Sequence, residues 1–410
     1  MAIVRPFKGI RPVSSLAASV AELPYDVLTK EEAAETAKGN AYSFLHVDKA
    51  EIDLDESIDV YDDRVYQKAR ENLDNMRRDG VLIQESTAAF YIYRLTMDGR
   101  SQTGLVACTS LDEYLNNTIK RHELTRDDKE LDRIKHVDSC NANTGPIFMA
   151  YRANETIRRI LTDFTEKQEP VYDFLIDGIV HTCWVIDSPD AINALTDAFK
   201  TVSDFYIADG HHRIAAAAKV GLKRRQANPD YDLDAEFNFC LSVLFPDDEL
   251  LILDYNRVVK DLNGLSKSVF LEKIGERFTV EKSIKEKPSA RHEFKMYLDG
   301  EWFKLMIKPG HIPNDEVEKL DASILQKQLL EPVLGIDDPR TNKRIDFVGG
   351  LRGLNELTRR VDSGEMQVAF ALFPVSMEEL MAVADGNKLM PPKSTWFEPK
   401  LRSGLFVHEL

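Results

Sequence analysis

Cysteine is scarce in this chain of 410 residues: only Cys108, Cys140, Cys183 and Cys240 occur, and no two form a C-x-x-C pair. That excludes a zinc ribbon and a dense disulfide framework, and it fits a reducing compartment. Long apolar runs are also missing, and none approaches the ~20 residues a membrane span needs. Met1-Ala2-Ile3-Val4-Arg5-Pro6 places charge and proline where a signal peptide carries its apolar stretch. The expectation is a cytoplasmic protein with no membrane partner. Positive charge is in deficit, since 53 Lys and Arg against 69 Asp and Glu leave a net charge of −16. Clusters such as Arg77-Arg78 and Lys223-Arg224-Arg225 are short. A polyanion would meet net repulsion, so nucleic-acid binding is disfavoured. G-x-S-x-G around a serine, H-E-x-x-H and G-x-G-x-x-G are all absent, which removes the nucleophile elbow, the zincin helix and the dinucleotide fingerprint. Met390-Pro391-Pro392-Lys393-Ser394-Thr395 echoes the end of a P-loop but lacks its glycine cradle, so it is not a Walker A motif.

What is present suits a folded chain with more than one core. Apolar residues make up 43% of the sequence, and domains usually span about 100–200 residues. Asp53 to Asp79 reads as an amphipathic helix carrying Ile58, Val65 and Leu73 and stopped by Gly80. Two Asp-Gly turns, at Asp98-Gly99 and Asp177-Gly178, predict hairpins joining 89–96 to 102–110 and 171–177 to 179–186. Pro189 to Phe199 predicts a helix, 204–208 a strand, and His211 to Val220 an Ala-rich helix ended by Gly221. Strands are expected at 237–245 and 250–253. Beyond Leu262 the pattern turns to helix, a hairpin at Asp299-Gly300, a helix over 316–330, a helix over 351–361 and a strand over 367–373. Pro-rich 390–410 ends in a Leu405-Phe406-Val407 strand. The fold class is α/β with mixed α+β character, a mixed sheet joined by a further α+β subdomain. The expected divisions are 1–260, 261–375 and a C-terminal segment 376–410.

The strongest local chemistry lies in Ile207-Ala208-Asp209-Gly210-His211-His212-Arg213. A strand ending in Asp209 delivers a carboxylate to the edge of the sheet. Gly210 permits a tight turn and a close backbone approach. The helix that follows presents free N–H groups and the positive end of its dipole, with His211, His212 and Arg213 as further donors. Together they suit a multiply charged phosphate held beside an acid; the alternative is an Asp209 cap with solvated histidines. Zinc is disfavoured because adjacent helical histidines point in different directions. Arg121-His122-Glu123-Leu124-Thr125 offers phosphate donors and a proton acceptor, although taken alone a charged helix start, followed by a solvated charge run over 126–133, is the commoner explanation. Asn141-Ala142-Asn143-Thr144-Gly145-Pro146 and Pro24-Tyr25-Asp26-Val27 read as turns, and such turns present amide and hydroxyl donors. Cys140 near His136 reads as an ordinary thiol.

Asp209 to Arg213 resembles the phosphate-site motif of free serine kinases of the ParB/sulfiredoxin superfold. In order along the chain, 24–27, 121–125, 143–148, 208–213, 254–257, 344–350 and 390–405 are similar to a bacterial family that includes pyrophosphate-dependent serine kinases and was long known only as a conserved domain of unknown function. The resemblance implies a ParB/sulfiredoxin-like core and the reaction of pyrophosphate with L-serine to give O-phospho-L-serine and phosphate, with Mg²⁺. It implies catalytic roles for Glu123, Asp209 and His212, with Glu123 the first choice of base, and Asp209 as a metal ligand or base. It implies phosphate contacts from Gly210, His211, Arg213, Arg121, His122, Asn143, Thr144, Lys393, Ser394 and Thr395. A nucleotide-dependent serine kinase, a phosphatase acting on phosphoserine and a non-catalytic ParB-like nucleotide-binding regulator remain as alternatives.

Overall fold

The computed structural model describes residues 3–410. It divides into two compact units, the first taking in the chain up to Leu250 with Pro399–Leu410, the second Leu251–Glu398. The division expected near residue 260 therefore falls earlier, because Tyr255–Val259 is already a strand of the second unit's sheet. The C-terminal segment expected from residue 376 likewise rejoins the first unit only at Pro399.

Among the described residues the first unit holds a nine-stranded sheet. Its strands are β1 (Val4–Arg5), β2 (Phe90–Met97), β3 (Arg100–Ser110), β4 (Ile119–Lys120), β5 (Ile147–Tyr151), β6 (Tyr172–Ile176), β7 (Ile179–Ile186), β8 (Phe205–Asp209) and β9 (Phe239–Pro246). They lie in the order β4-β8-β5-β9-β3-β2-β7-β6, with β1 on β3. The pairs β4/β8 and β5/β9 are parallel and the others antiparallel, giving the mixed sheet expected. Both Asp-Gly hairpins form as their residues require: Asp98 and Gly99 have φ of 51° and 78°, and Asp177 and Gly178 have 52° and 78°.

Alternation along the central strands divides the core in two. Phe90, Ile92, Leu105, Ala107, Ile147, Met149, Phe205 and Ile207 pack with Ile157, Leu161, Leu195, Phe199, Ile214 and Ala217. The latter six come from helices α3 (Glu155–Lys167), α4 (Pro189–Phe199) and α5 (His211–Ala227). On the intervening positions, Tyr91 meets Phe7 and Phe406 at ring distances of 5.3 and 5.1 Å, so the C-terminal segment closes the second face. A further layer is built by α1 (Asp63–Arg78) and α2 (Asp127–Cys140), through Val65, Ala69, Leu73, Met76 and Cys140.

Several expected boundaries move. The first long helix starts at Asp63 rather than Asp53, because the Asp62 side chain accepts from Arg64 N–H and caps it there. Ile58 precedes the helix, packed at the rim of the same cluster. The C-terminal strand is His408–Glu409, one step beyond 405–407, with Val407 bridging Ile10. Gly221 does not end its helix, which continues to Ala227. A methyl group at Gly221 would lie 2.6 Å from the Phe237 carbonyl oxygen, so glycine is there for close packing. Gly221→Ala should therefore lower stability by about 1–3 kcal/mol through overpacking, although helix propensity alone favours alanine by up to ~1 kcal/mol. The urea midpoint measures the sign.

The second unit is a six-stranded antiparallel sheet of β10 (Tyr255–Val259), β11 (Phe278–Ser283), β12 (Glu293–Leu298), β13 (Glu301–Ile307), β14 (Ile345–Gly349) and β15 (Val368–Leu372), ordered β11-β13-β12-β15-β10-β14. The hairpin at Asp299-Gly300 forms as expected, and the helix expected over 316–330 shortens to Asp321–Leu325 and then widens into a π-turn over Gln326–Leu330. No helix among the described residues is long and apolar enough to cross a membrane.

Candidate active site

Strand β8 shifts register between Ile207 and Asp209, where it pairs with β5. Such a bulge re-aims the terminal side chain. Gly210 follows in the left-handed region at φ 95°, and α5 begins at His211. The Gly210 N–H donates to Asp209 Oδ1 at 2.8 Å, Lys400 Nζ donates to Oδ2 at 3.3 Å, and Arg213 lies 4.0 Å from the same oxygen. Burial disfavours charge on Asp209, but Lys400 and Arg213 outweigh it and hold the carboxyl well below its ordinary range. Arg213 donates to the Pro146 carbonyl, and its buried Nε has no partner.

The helix start holds the 121–126 loop at two points. His122 and His211 are buried with ring centroids 4.7 Å apart at 89°, an edge-to-face contact. Further along, the Arg126 N–H donates to His212 Nε2 at 3.0 Å. His212 therefore receives a proton donor at Nε2 and anchors the entry to α2. Glu123 sits half-buried between these two anchors, while Arg121 is exposed beside Tyr114.

Burial drives His122 down to about 4, against weaker opposing pulls from the Ile207 backbone and Asp209. It also drives His211 well below its ordinary value, helped by His122. Both rings are neutral in the fold, whereas in the unfolded chain they titrate near pH ~6.5. The unfolded state thus binds more protons as pH falls, so their contribution is complete above pH ~6.5 and is lost toward pH 4. His46, raised by its hydrogen bond to Asp53, works in the opposite sense. The checkable quantity is hence a difference: the urea midpoint of His122→Gln should fall less than that of wild type between pH 7 and pH 5.

Arg213 also lines a small cavity of about 20 Å³, together with Tyr25, Asp48, Arg133, His136, Asn143, Thr144 and Gly145. The 24–27 and 143–148 turns, which local sequence explains as turns alone, thus join the helix start at one place. Arg133 is buried, which corrects the expectation of a solvated run over 126–133. Its Nε and Nη2 bond Asp132 Oδ2 at 2.8 and 2.7 Å, its guanidinium stacks 3.9 Å from the Tyr25 ring centroid, and Tyr66 donates to the other Asp132 oxygen at 3.0 Å. Asp48, Arg133 and His136 line this cavity and Lys400 reaches Asp209, none of them singled out by a sequence motif. Arg133, His136, Val137 and Cys140 share one face of α2 at i, i+3, i+4 and i+7 spacing, a stripe hidden by its mixed polarity. Burial pushes the Cys140 thiol up to about 12, so it stays protonated, in keeping with an ordinary thiol.

Lys393, Ser394 and Thr395 belong to the second unit. There the Ser394 hydroxyl donates to the Pro391 carbonyl at 2.7 Å, and Arg257 donates to the Lys393 carbonyl at 3.1 Å.

A family model described as "Protein of unknown function (DUF1015)" matches residues 4–323. The chain belongs to the DUF1015 family. No curated protein matches it. Among solved structures, a free serine kinase in complex with AMP is 16% identical over 74% of this chain and 91% of its own, with a TM-score of 0.38. A conserved hypothetical protein from Pyrococcus furiosus is 16% identical over 74% and 94%, with a TM-score of 0.36. C-terminally truncated SbnI from Staphylococcus aureus is 10% identical over 74% and 86%, with a TM-score of 0.39. Among the described residues no group of three or more His, Cys, Asp or Glu side chains is placed to hold a metal ion.

Proposed function

We propose that this member of the DUF1015 family is a phosphotransferase that moves a phosphoryl group from pyrophosphate to L-serine, in a ParB/sulfiredoxin-like first unit. The observation that carries this is the meeting of Arg213, on the first turn of α5 beside Asp209, with Tyr25 and the Asn143–Gly145 turn. Phosphoryl transfer needs positioned cations and dipoles more than covalent help from the protein. Arg213 and the first N–H groups of α5 supply these, with Lys400 adding charge at Asp209.

In the step itself the serine hydroxyl oxygen bonds to one phosphorus of pyrophosphate, and the bond from that phosphorus to the bridging oxygen breaks. Inorganic phosphate leaves with the bridging oxygen, and the hydroxyl proton passes to a base. Two carboxylates compete for that role. Asp209 is flanked by Lys400 and Arg213, which hold it ionised and make it a weak proton acceptor. Glu123, in the pinned loop, is the better assignment, and Asp209 then orients the two cations. Those cations also make Asp209 a poor ligand for a divalent ion, and among the described residues no cluster of His, Cys, Asp or Glu supplements it. Mg²⁺ in this scheme is the counterion of the pyrophosphate substrate.

The test is phosphoserine formation from L-serine and Mg²⁺ with pyrophosphate, ADP or ATP as donor. Product from pyrophosphate alone is expected. Product only from a nucleotide would change the donor, and no product from any donor would end the proposal.

A further inference from the structure

Helix α2 begins without a cap of its own. Its N-cap residue is Arg126, whose side chain makes no capping bond. Three residues on stands Lys129, a cation, so the Glu or Gln that accepts the N-cap N–H in a capping box is missing. His212, on the first turn of α5, supplies that acceptor: the Arg126 N–H donates to its Nε2 at 3.0 Å. A second tie follows, where Thr125 Oγ1 donates to Glu130 at 2.7 Å and Lys219 of α5 pairs with the same carboxylate. The start of α2, and with it the end of the loop that carries Glu123, is therefore held by α5 rather than by its own sequence.

The bond at Arg126 has a fixed polarity. A backbone N–H can only donate, so Nε2 must offer its lone pair, and the proton of the neutral His212 ring sits on Nδ1. An imidazolium carries N–H at both nitrogens and would set donor against donor. A glutamine at this position would accept at every pH, whereas histidine accepts only while neutral. Burial, helped by Arg126, keeps the ring below its ordinary value, against the opposing pulls of Asp26 in the 24–27 turn and of Glu130 and Asp128 in α2. His211, its neighbour on α5, is itself neutral, and Lys219 and Thr125 hold Glu130 ionised.

We infer that His212 is a positioning residue for the Glu123 loop, with its Nε2 lone pair as a latch on the Arg126 N–H that protonation of the ring opens. Because the latched form is the neutral one and the fold disfavours the charged ring, the latch is fully closed above the ordinary imidazole value near pH ~6.5 and opens as pH falls below it. The role of the loop in catalysis rests on the phosphotransfer reading, while the latch itself rests on the bond.

The experiment is amide hydrogen exchange at Arg126 in the full chain, comparing wild type with His212→Leu, which has no acceptor, and His212→Gln, whose Oε1 accepts without titrating. Near pH ~8 Arg126 should exchange about three- to tenfold more slowly in wild type and in His212→Gln than in His212→Leu, as one net hydrogen bond requires. Toward pH ~5 wild type should converge on His212→Leu while His212→Gln stays protected. Comparison at a common pH removes the intrinsic pH dependence of exchange. Equal exchange in all three proteins near pH ~8, or wild-type protection that follows His212→Gln into acid, would overturn the latch. In the kinetic arm His212→Leu should lower kcat about three- to tenfold at an unchanged KM for pyrophosphate, and should cost nothing further on top of Glu123→Gln, through which it acts. A raised KM for pyrophosphate, or a full additional loss in the double variant, would make His212 a phosphate contact and overturn the positioning role. The two readings fail separately: exchange as expected with no phosphoserine from any donor would sink the transfer reading and keep the latch.

Discussion

Arg213→Ala should lower kcat by about 10²–10³-fold, the usual consequence of removing one preorganised donor from a transition-state site. Arg213 sits where three features of the first unit meet: it donates to Pro146 in the 143–148 turn, stands 4.0 Å from Asp209 and lines the Asp48–Arg133 cavity. Alanine removes the cation from all three and leaves Lys400 alone beside the carboxylate. The loss of the Pro146 bond should also cost stability, about 1–3 kcal/mol if the carbonyl stays dry, so thermal melting must accompany the kinetics. Arg213→Lys keeps the charge but not the planar fork, and should recover only part of the rate. A folded Arg213→Ala protein with kcat within threefold of wild type would remove this side chain from the chemistry.

Glu123→Gln should lower kcat by about 10²–10⁴-fold, the range for a lost general base, with little change in KM. The loop carrying Glu123 is fixed on one side by the His122–His211 contact and on the other by the Arg126 N–H on His212. The two anchors hold the Glu123 carboxylate on a short tether, while Lys400 and Arg213 hold Asp209 ionised. Removal of the base should also flatten the acid limb of the kcat profile, whereas Asp209→Asn should leave that limb in place and raise KM for the phosphate donor. The reverse pattern, with Asp209→Asn abolishing the limb, would exchange the two roles.

Hairpins, the strand-to-helix turn at Asp209-Gly210 and the helix at Pro189–Phe199 were legible because short-range rules govern them: positive φ at Asp-Gly, a missing Cβ at Gly210, proline at the first helical position. Gly221 was misleading for the same reason, because a glycine inside a helix looks like a stop until the Phe237 carbonyl pressed against it is seen. The start of the first long helix moved because Asp62 caps it, and a run of acids offers several candidate caps.

The amino-acid sequence by itself determined the fold class, its mixed α and β elements and the strand-to-glycine-to-helix turn at 208–213, since composition and periods of two and 3.6 residues are local properties. Tertiary structure alone decided that Tyr25, Asp48, Arg133, His136, Thr144 and Arg213 share a cavity, and that Lys400 reaches Asp209 from the far end of the chain. It also decided that Glu130, Asp132 and Arg133 are buried while Asp127 and Asp128 at the start of the same helix are solvated. No local rule could have said so, because burial of a charge such as Arg133 depends on which partners the fold brings to it: Asp132 beside it, the Tyr25 ring over it, and the attraction of the Asp48 carboxylate.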